Sequence, residues 1–124
     1  MHKDIYSDVV DALTENVENI STGNQLDPEI KMGPMVRSQD ATRVNSWIKE
    51  ATSNGARTTT GGEYQGALHQ PTVVVDVSPD MTISCEELFG PAVAVTPFTN
   101  IEQAIELAND SNYGLSAGIC TQNL

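Results

Sequence analysis

Pro71-Thr72-Val73-Val74-Val75-Asp76 is the stretch on which the fold turns. Three consecutive valines leave no side chain for a solvated face, so a strand here must be buried on both sides. Downstream, Ala92-Val93-Ala94-Val95-Thr96 reads as a second strong strand. Pro97 falls at its end, where the missing N–H does least harm to a ladder. Upstream, Ala56 to Thr60 is rich in β-branched residues and stops at Gly61-Gly62, a short strand running into a turn. Met81 to Ser84 is weakly strand-like, and Leu115 to Cys120 reads as a last apolar strand.

Helical periods fill the intervals. From Asp4 to about Ile20, apolar residues recur at Ile5, Tyr6, Val9, Val10, Leu13, Val17 and Ile20, an amphipathic helix with acids on its other face. Ser21-Thr22-Gly23-Asn24 stops it, and a loop with Asp27-Pro28 and Gly33-Pro34 follows. Ser38 is the expected cap of a second helix that buries Ala41, Val44, Trp47, Ile48 and Ala51, and Asn54-Gly55 ends it. Asn100 caps a third, with Gln103 at the capping-box position and Ile101, Ala104, Ile105 and Ala108 facing inward until Asn112-Tyr113-Gly114. Helices alternating with strands predict an α/β fold in which helices cover a sheet.

Bulk composition narrows the partners. At 124 residues the chain is one domain or part of one, and 39% apolar residues with 19% charged ones place it among globular sequences. Aromatics are only 5%, so the core must rest on Val, Ile, Leu and Ala. Six Lys and Arg against 17 Asp and Glu give a formal charge of -11, which excludes nucleic acid and anionic membranes as expected partners. No run reaches the roughly 18 apolar residues of a membrane span. Met1-His2-Lys3-Asp4-Ile5 meets an acidic amphipathic stretch rather than an apolar signal core. Cys85 and Cys120 form neither a CxxC pair nor a zinc spacing, as expected in a reducing compartment. A cytoplasmic chain is the expectation.

Candidate nucleophiles do not hold up. Cys85 precedes Glu86 and Glu87, and neighbouring anions disfavour a thiolate. Cys120, inside an apolar run, reads as a small core residue. His2 and His69 are far apart with no second ligand at metal spacing, so neither a catalytic base nor a metal site is expected. Gly61, Gly62 and Gly66 read as turn glycines. Glu86-Glu87-Leu88-Phe89-Gly90-Pro91 is different: two acids and an aromatic precede a Gly-Pro turn at a strand entrance. A carboxylate fixed there offers two acceptor oxygens, suited to the two hydroxyls of a ribose. A solvated acidic turn with Phe89 tucked into the core accounts for the same residues, and composition and spacing leave both readings open.

That run resembles the E-E-x-F-G-P signature of the aldehyde dehydrogenase superfamily. Met32-Gly33-Pro34-Met35, then Arg43-Val44 and Trp47-Ile48-Lys49-Glu50-Ala51, are similar to that family's GP-loop and following helix. Gly61-Gly62, Pro71-Thr72-Val73, Asp76-Val77 and Pro79-Asp80-Met81 match the next stretch in order, and Ala104-Ile105, Ala108-Asn109-Asp110 and Tyr113-Gly114-Leu115-Ser116-Ala117 the one after. The resemblance runs over residues 1–124 and implies part of a three-layer α/β/α catalytic domain, with helices on a mostly parallel sheet. It implies a parent enzyme that oxidises an aldehyde to an acid through a Cys thiohemiacetal, with NAD or NADP as acceptor. It assigns Glu87 to the nicotinamide ribose hydroxyls and Phe89 to the nicotinamide region.

The departures limit what this chain does. The family's nucleophilic Cys, general-base Glu, oxyanion-hole Asn and coenzyme-binding domain precede the matched stretch, and its C-terminal oligomerisation elements follow it. Neither Cys85 nor Cys120 matches the nucleophile, so no catalytic residue is expected here. Both ends read as cut. The expectation is a fragment of an NAD(P)+-dependent aldehyde dehydrogenase that does not turn over aldehyde alone. No NAD(P)H absorbance should develop when the purified chain meets aldehyde and NAD+, and steady formation would overturn that. The alternatives are a non-enzymatic module that binds a partner or forms a homo-oligomer through exposed sheet edges, or one half of a split enzyme.

Overall fold

The computed structural model describes residues 1–114 and 116–121. A 3-10 turn, Lys3–Ile5, leads into helix α1 (Tyr6–Glu18), and a long loop connects it to helix α2 (Ser38–Ser53). Strands β1 (Arg57–Thr60), β2 (Tyr64–Gln65), β3 (Leu68–His69) and β4 (Thr72–Val75) follow. A helical turn, α3 (Thr82–Cys85), precedes β5 (Ala92–Val95) and helix α4 (Ile101–Asn109).

The valine run is the middle strand of a sheet ordered β1-β4-β5. It pairs parallel with β5, Thr72 opposite Ala92 through Val75 opposite Val95. It pairs antiparallel with β1, whose register slips between Thr58 and Thr60. The sheet is therefore mixed, with the implied parallel pairing on one edge of β4. Side chains alternate across a strand. Val73 and Val75 join Val95 and pack on Val10 of α1, with Tyr6, Leu13 and Val17 around them. Val74 points the other way, into Val44, Ile48 and Ala51 of α2, with Val77, Met81 and Ile83. Two helices on two faces give the α/β/α layering. Each of these buried valines contributes roughly 1.5–3 kcal/mol of transfer free energy.

Polar groups tie the layers together. Asn45 of α2 is buried, and its Nδ2 donates to the Gly62 carbonyl at 2.7 Å, fixing the helix to the turn after β1. The Tyr6 hydroxyl donates to Asp76 Oδ1 at 2.9 Å and accepts from the Asp76 amide at 2.8 Å, holding α1 to the end of β4. Asp76 there adopts a left-handed backbone (φ 58), a strained conformation that this pair of bonds holds in place. Burial, the largest influence, raises the pKa of the Tyr6 phenol, so it stays a donor at neutral pH.

Four local expectations change. Arg37, not Ser38, occupies the N-cap position of α2 and makes no side-chain capping bond; its guanidinium folds onto Asp40 at 3.2 Å. Met81 to Ser84 is not a strand. Met81 and Ile83 are both buried, which mimics alternation, but the Ser84 and Cys85 amides both bond the Met81 carbonyl and close a helical turn. The capping box of α4 forms, with Asn100 Oδ1 accepting from the Gln103 amide at 2.8 Å and Gln103 Oε1 from the Thr99 amide at 2.8 Å. Its expected inward face does not: Ile101 and Ile105 are about half exposed and Ala108 is exposed, because capping is local while burial needs a covering layer.

The last strand is the fourth correction. Leu115 lies outside the described residues, and 116–121 form neither strand nor helix and are exposed. β-propensity is realised only within a ladder, and among the described residues the sheet β1-β4-β5 does not include this segment. Cys120 is accordingly exposed rather than part of the core.

Candidate functional site

The acidic run leaves α3 in extended backbone at Glu86 (φ -112, ψ 155). It is then fixed at two points. Leu88 packs against the core cluster around Val44 and Val74. Gly90 lies directly on α2, where a Cβ would come 2.5 Å from Val44 Cγ2 and 3.2 Å from Met35 Cε. Beyond it, the Pro91 carbonyl accepts from the Thr72 amide at 2.9 Å, joining the run to the start of β4. Two inward anchors one residue apart force the residue between them outward.

That residue is Phe89. It is 79% exposed and holds a left-handed backbone (φ 41), which removes the alternative of an aromatic tucked into the core. A non-glycine residue at positive φ carries strain, and a large ring presented to solvent gains nothing from burial to offset it. Such outliers concentrate at functional sites. Phe89 lines an apolar groove of about 470 Å3 with Met35, Val36, Arg43 and Gly90. That volume lies within the roughly 300–1,000 Å3 of small-molecule sites. The Arg43 guanidinium stacks 4.7 Å from the Trp47 ring, which keeps its stem along the groove wall.

Glu87 is exposed and lines a neighbouring groove, with Glu86, Asn109 and Tyr113. The two predicted contacts, two positions apart in the chain, thus line different grooves, Phe89 the apolar one and Glu87 the acidic one. The Tyr113 hydroxyl donates to Glu86 Oε2 at 2.8 Å, a contact between residues 27 apart that no local reading of the sequence identifies. Met35 and Val36, from the loop before α2, also escaped the sequence reading as site residues. Nothing in the sequence marks them: Met35 is half-buried against the core, and Val36 is 94% exposed.

The remaining reactive side chains stand elsewhere. Cys85 is half-buried and its Sγ donates to the Pro79 carbonyl at 3.0 Å. His69, in β3, is 1% exposed, with Nδ1 at 2.7 Å from the Gln70 carbonyl. Its Nε2 is buried without a hydrogen-bond partner among the described residues. His2 bonds the Thr99 carbonyl at 3.0 Å near the N-terminus. No helix of the described residues is long and apolar enough to cross a membrane.

Comparison with known proteins places this geometry. The model of the aldehyde dehydrogenase family matches residues 1–124. A 3-sulfolactaldehyde dehydrogenase of Priestia aryabhattai is 41% identical over 124 residues, all of this chain and 26% of that protein. An aldehyde dehydrogenase from Bacillus cereus, solved as an NAD+ complex, superposes with a TM-score of 0.92 at 44% identity, over 99% of this chain and 26% of that one. A 3,6-anhydro-L-galactose dehydrogenase, solved in complex with NAP, superposes at 0.92 with 38% identity, over 98% of this chain and 27% of that one. The chain thus spans about a quarter of the length of the relatives it matches.

Proposed function

The chain belongs to the aldehyde dehydrogenase family, and from that premise we propose that it supplies the nicotinamide-ribose contact of an NAD(P)+-dependent enzyme that oxidises an aldehyde to a carboxylic acid. The observation that carries the proposal is the outward, strained Phe89 two positions after the exposed Glu87, in a run held by Leu88 and Gly90.

The donor set fits the cofactor's nicotinamide half. Vicinal ribose hydroxyls are two donors a short distance apart, and an ionised carboxylate is an acceptor with two oxygens. Phe89 offers an apolar face to the ring, and its backbone is already held by the anchors at Leu88 and Gly90, so little chain ordering is needed on binding. NAD+ or NADP+, when bound, accepts hydride from the aldehyde carbon. The nucleophile, in this reading, is not among these residues: Cys85 is hydrogen-bonded to the Pro79 carbonyl beside two carboxylates, and Cys120 is an exposed thiol. In this reading the 124 residues hold and orient cofactor, and do not turn over aldehyde alone.

The test is binding of nicotinamide riboside to the 15N-labelled chain. Amide shifts should change at Glu87, Phe89 and Gly90, and Glu87→Ala should weaken binding roughly tenfold, as for loss of a charge-assisted hydrogen bond. Unchanged affinity in Glu87→Ala, or shifts confined to other segments, would remove the basis of the reading.

A further inference from the structure

Glu87 has no anchor of its own: its side chain makes no hydrogen bond or ion pair among those described, and it is exposed. The neighbouring acid is held. Tyr113 reaches across from beyond α4 and donates its hydroxyl to Glu86 Oε2 at 2.8 Å. Tyr113 is in turn fixed by a local ring of bonds. Its amide donates to Ser111 Oγ at 3.2 Å, and Ser111 Oγ donates back to the Tyr113 carbonyl at 3.1 Å. The helix before it closes with Asn109 Nδ2 bonded to the Ile105 carbonyl at 2.8 Å. The end of α4 and the acidic run therefore meet through one phenol, and Glu86, Glu87 and Tyr113 share the same groove.

We propose that Tyr113 is a positioning residue, which through Glu86 fixes the backbone of the acidic run so that Glu87 presents its carboxylate to the ribose hydroxyls. This rests on the cofactor reading above and extends it to the neighbouring acid and to a second element. The geometry explains why two adjacent acids stand where one would suffice to bind a diol: Glu86 serves the protein and Glu87 the ligand. The phenol is well placed for this. Its bond to Glu86 raises its pKa first of all, the Glu86 charge adds to that, and the Glu87 backbone amide beside it pulls the other way. It stays protonated, and so a donor, throughout the neutral range.

Free nicotinamide and nicotinamide riboside separate this role from simple structural support, because only the riboside carries the hydroxyls that Glu87 would hold. Tyr113→Phe is expected to weaken the riboside roughly three- to tenfold, the loss of one hydrogen bond's worth of preorganisation, and to leave nicotinamide binding unchanged. Glu86→Ala, which removes the same bond from the other side, should do likewise. Equal losses for both ligands, or riboside affinity unchanged in both variants while Glu87→Ala loses it, would overturn the positioning role alone. No riboside binding by the unaltered chain, or full binding by Glu87→Ala, would sink the cofactor reading and this inference with it.

Discussion

Gly61→Ala is expected to destabilise the chain by about 3 kcal/mol or more, the largest effect of any single methyl group added to this fold. Gly61 sits at φ 77, where an L-residue carries strain. Its missing Cβ would lie 2.1 Å from the Pro71 carbonyl oxygen and 2.6 Å from Thr72 Oγ1. Neither neighbour can give way cheaply. Pro71 leads directly into β4, and Thr72 Oγ1 both accepts from the Gly62 amide at 2.9 Å and donates to the Gln70 carbonyl at 2.8 Å. Gly62 also accepts from Asn45, so a displaced turn pulls on α2. Gly66 is the internal control: it has a similar φ of 61 but nothing within 4 Å of an added Cβ, so Gly66→Ala should lose only about 1 kcal/mol of conformational strain. Urea unfolding of the two variants measures the difference. Equal midpoints would mean that the close approach of the two turns is absent.

Gly90→Ala is expected to cost about 2 kcal/mol and to disturb the site as well as the core. Its Cβ would press on Val44, whose side chain is fully buried between α2 and the sheet and has no room to retreat. The strain is relieved by lifting the turn, and the turn carries Phe89 and Glu87. The variant should therefore lose riboside affinity in parallel with stability. A change of Val44→Ala on top of it should recover part of the riboside affinity, by opening space for the new methyl. No recovery, with the single variant still defective in binding, would show that Gly90 acts by something other than contact with α2.

Legibility in the sequence followed the range of the forces involved. The run Val73 to Val75 declared burial on both faces by composition alone, and α1 and α2 cover those faces. Asn54-Gly55 and the Asn100–Gln103 cap are local chemistry, and both formed: Gly55 takes φ 105, and Asn100 caps α4. Met81 and Ile83 share the i, i+2 burial of a strand, and only the backbone hydrogen bonds reveal the turn. Ile101, Ile105 and residues 116–121 are exposed despite their apolar pattern for one reason. An apolar side chain states a preference for cover without naming what provides it.

The site was legible only in part. Spacing left Phe89 with two fates, and the resemblance favoured one. In the structure the ring is exposed, and Leu88 and Gly90 take the inward positions on either side of it. Tyr113 and Glu86, 27 positions apart, carry no periodic or spacing signal that could have joined them.

If Glu87 holds the two ribose hydroxyls, as proposed, calorimetric titration will separate nicotinamide riboside from its 2′,3′-dideoxy analogue. The unaltered chain should prefer the riboside by roughly tenfold or more, and Glu87→Ala should bind the two alike. Equal affinity of the unaltered chain for both, or a preference that survives in Glu87→Ala, would contradict it.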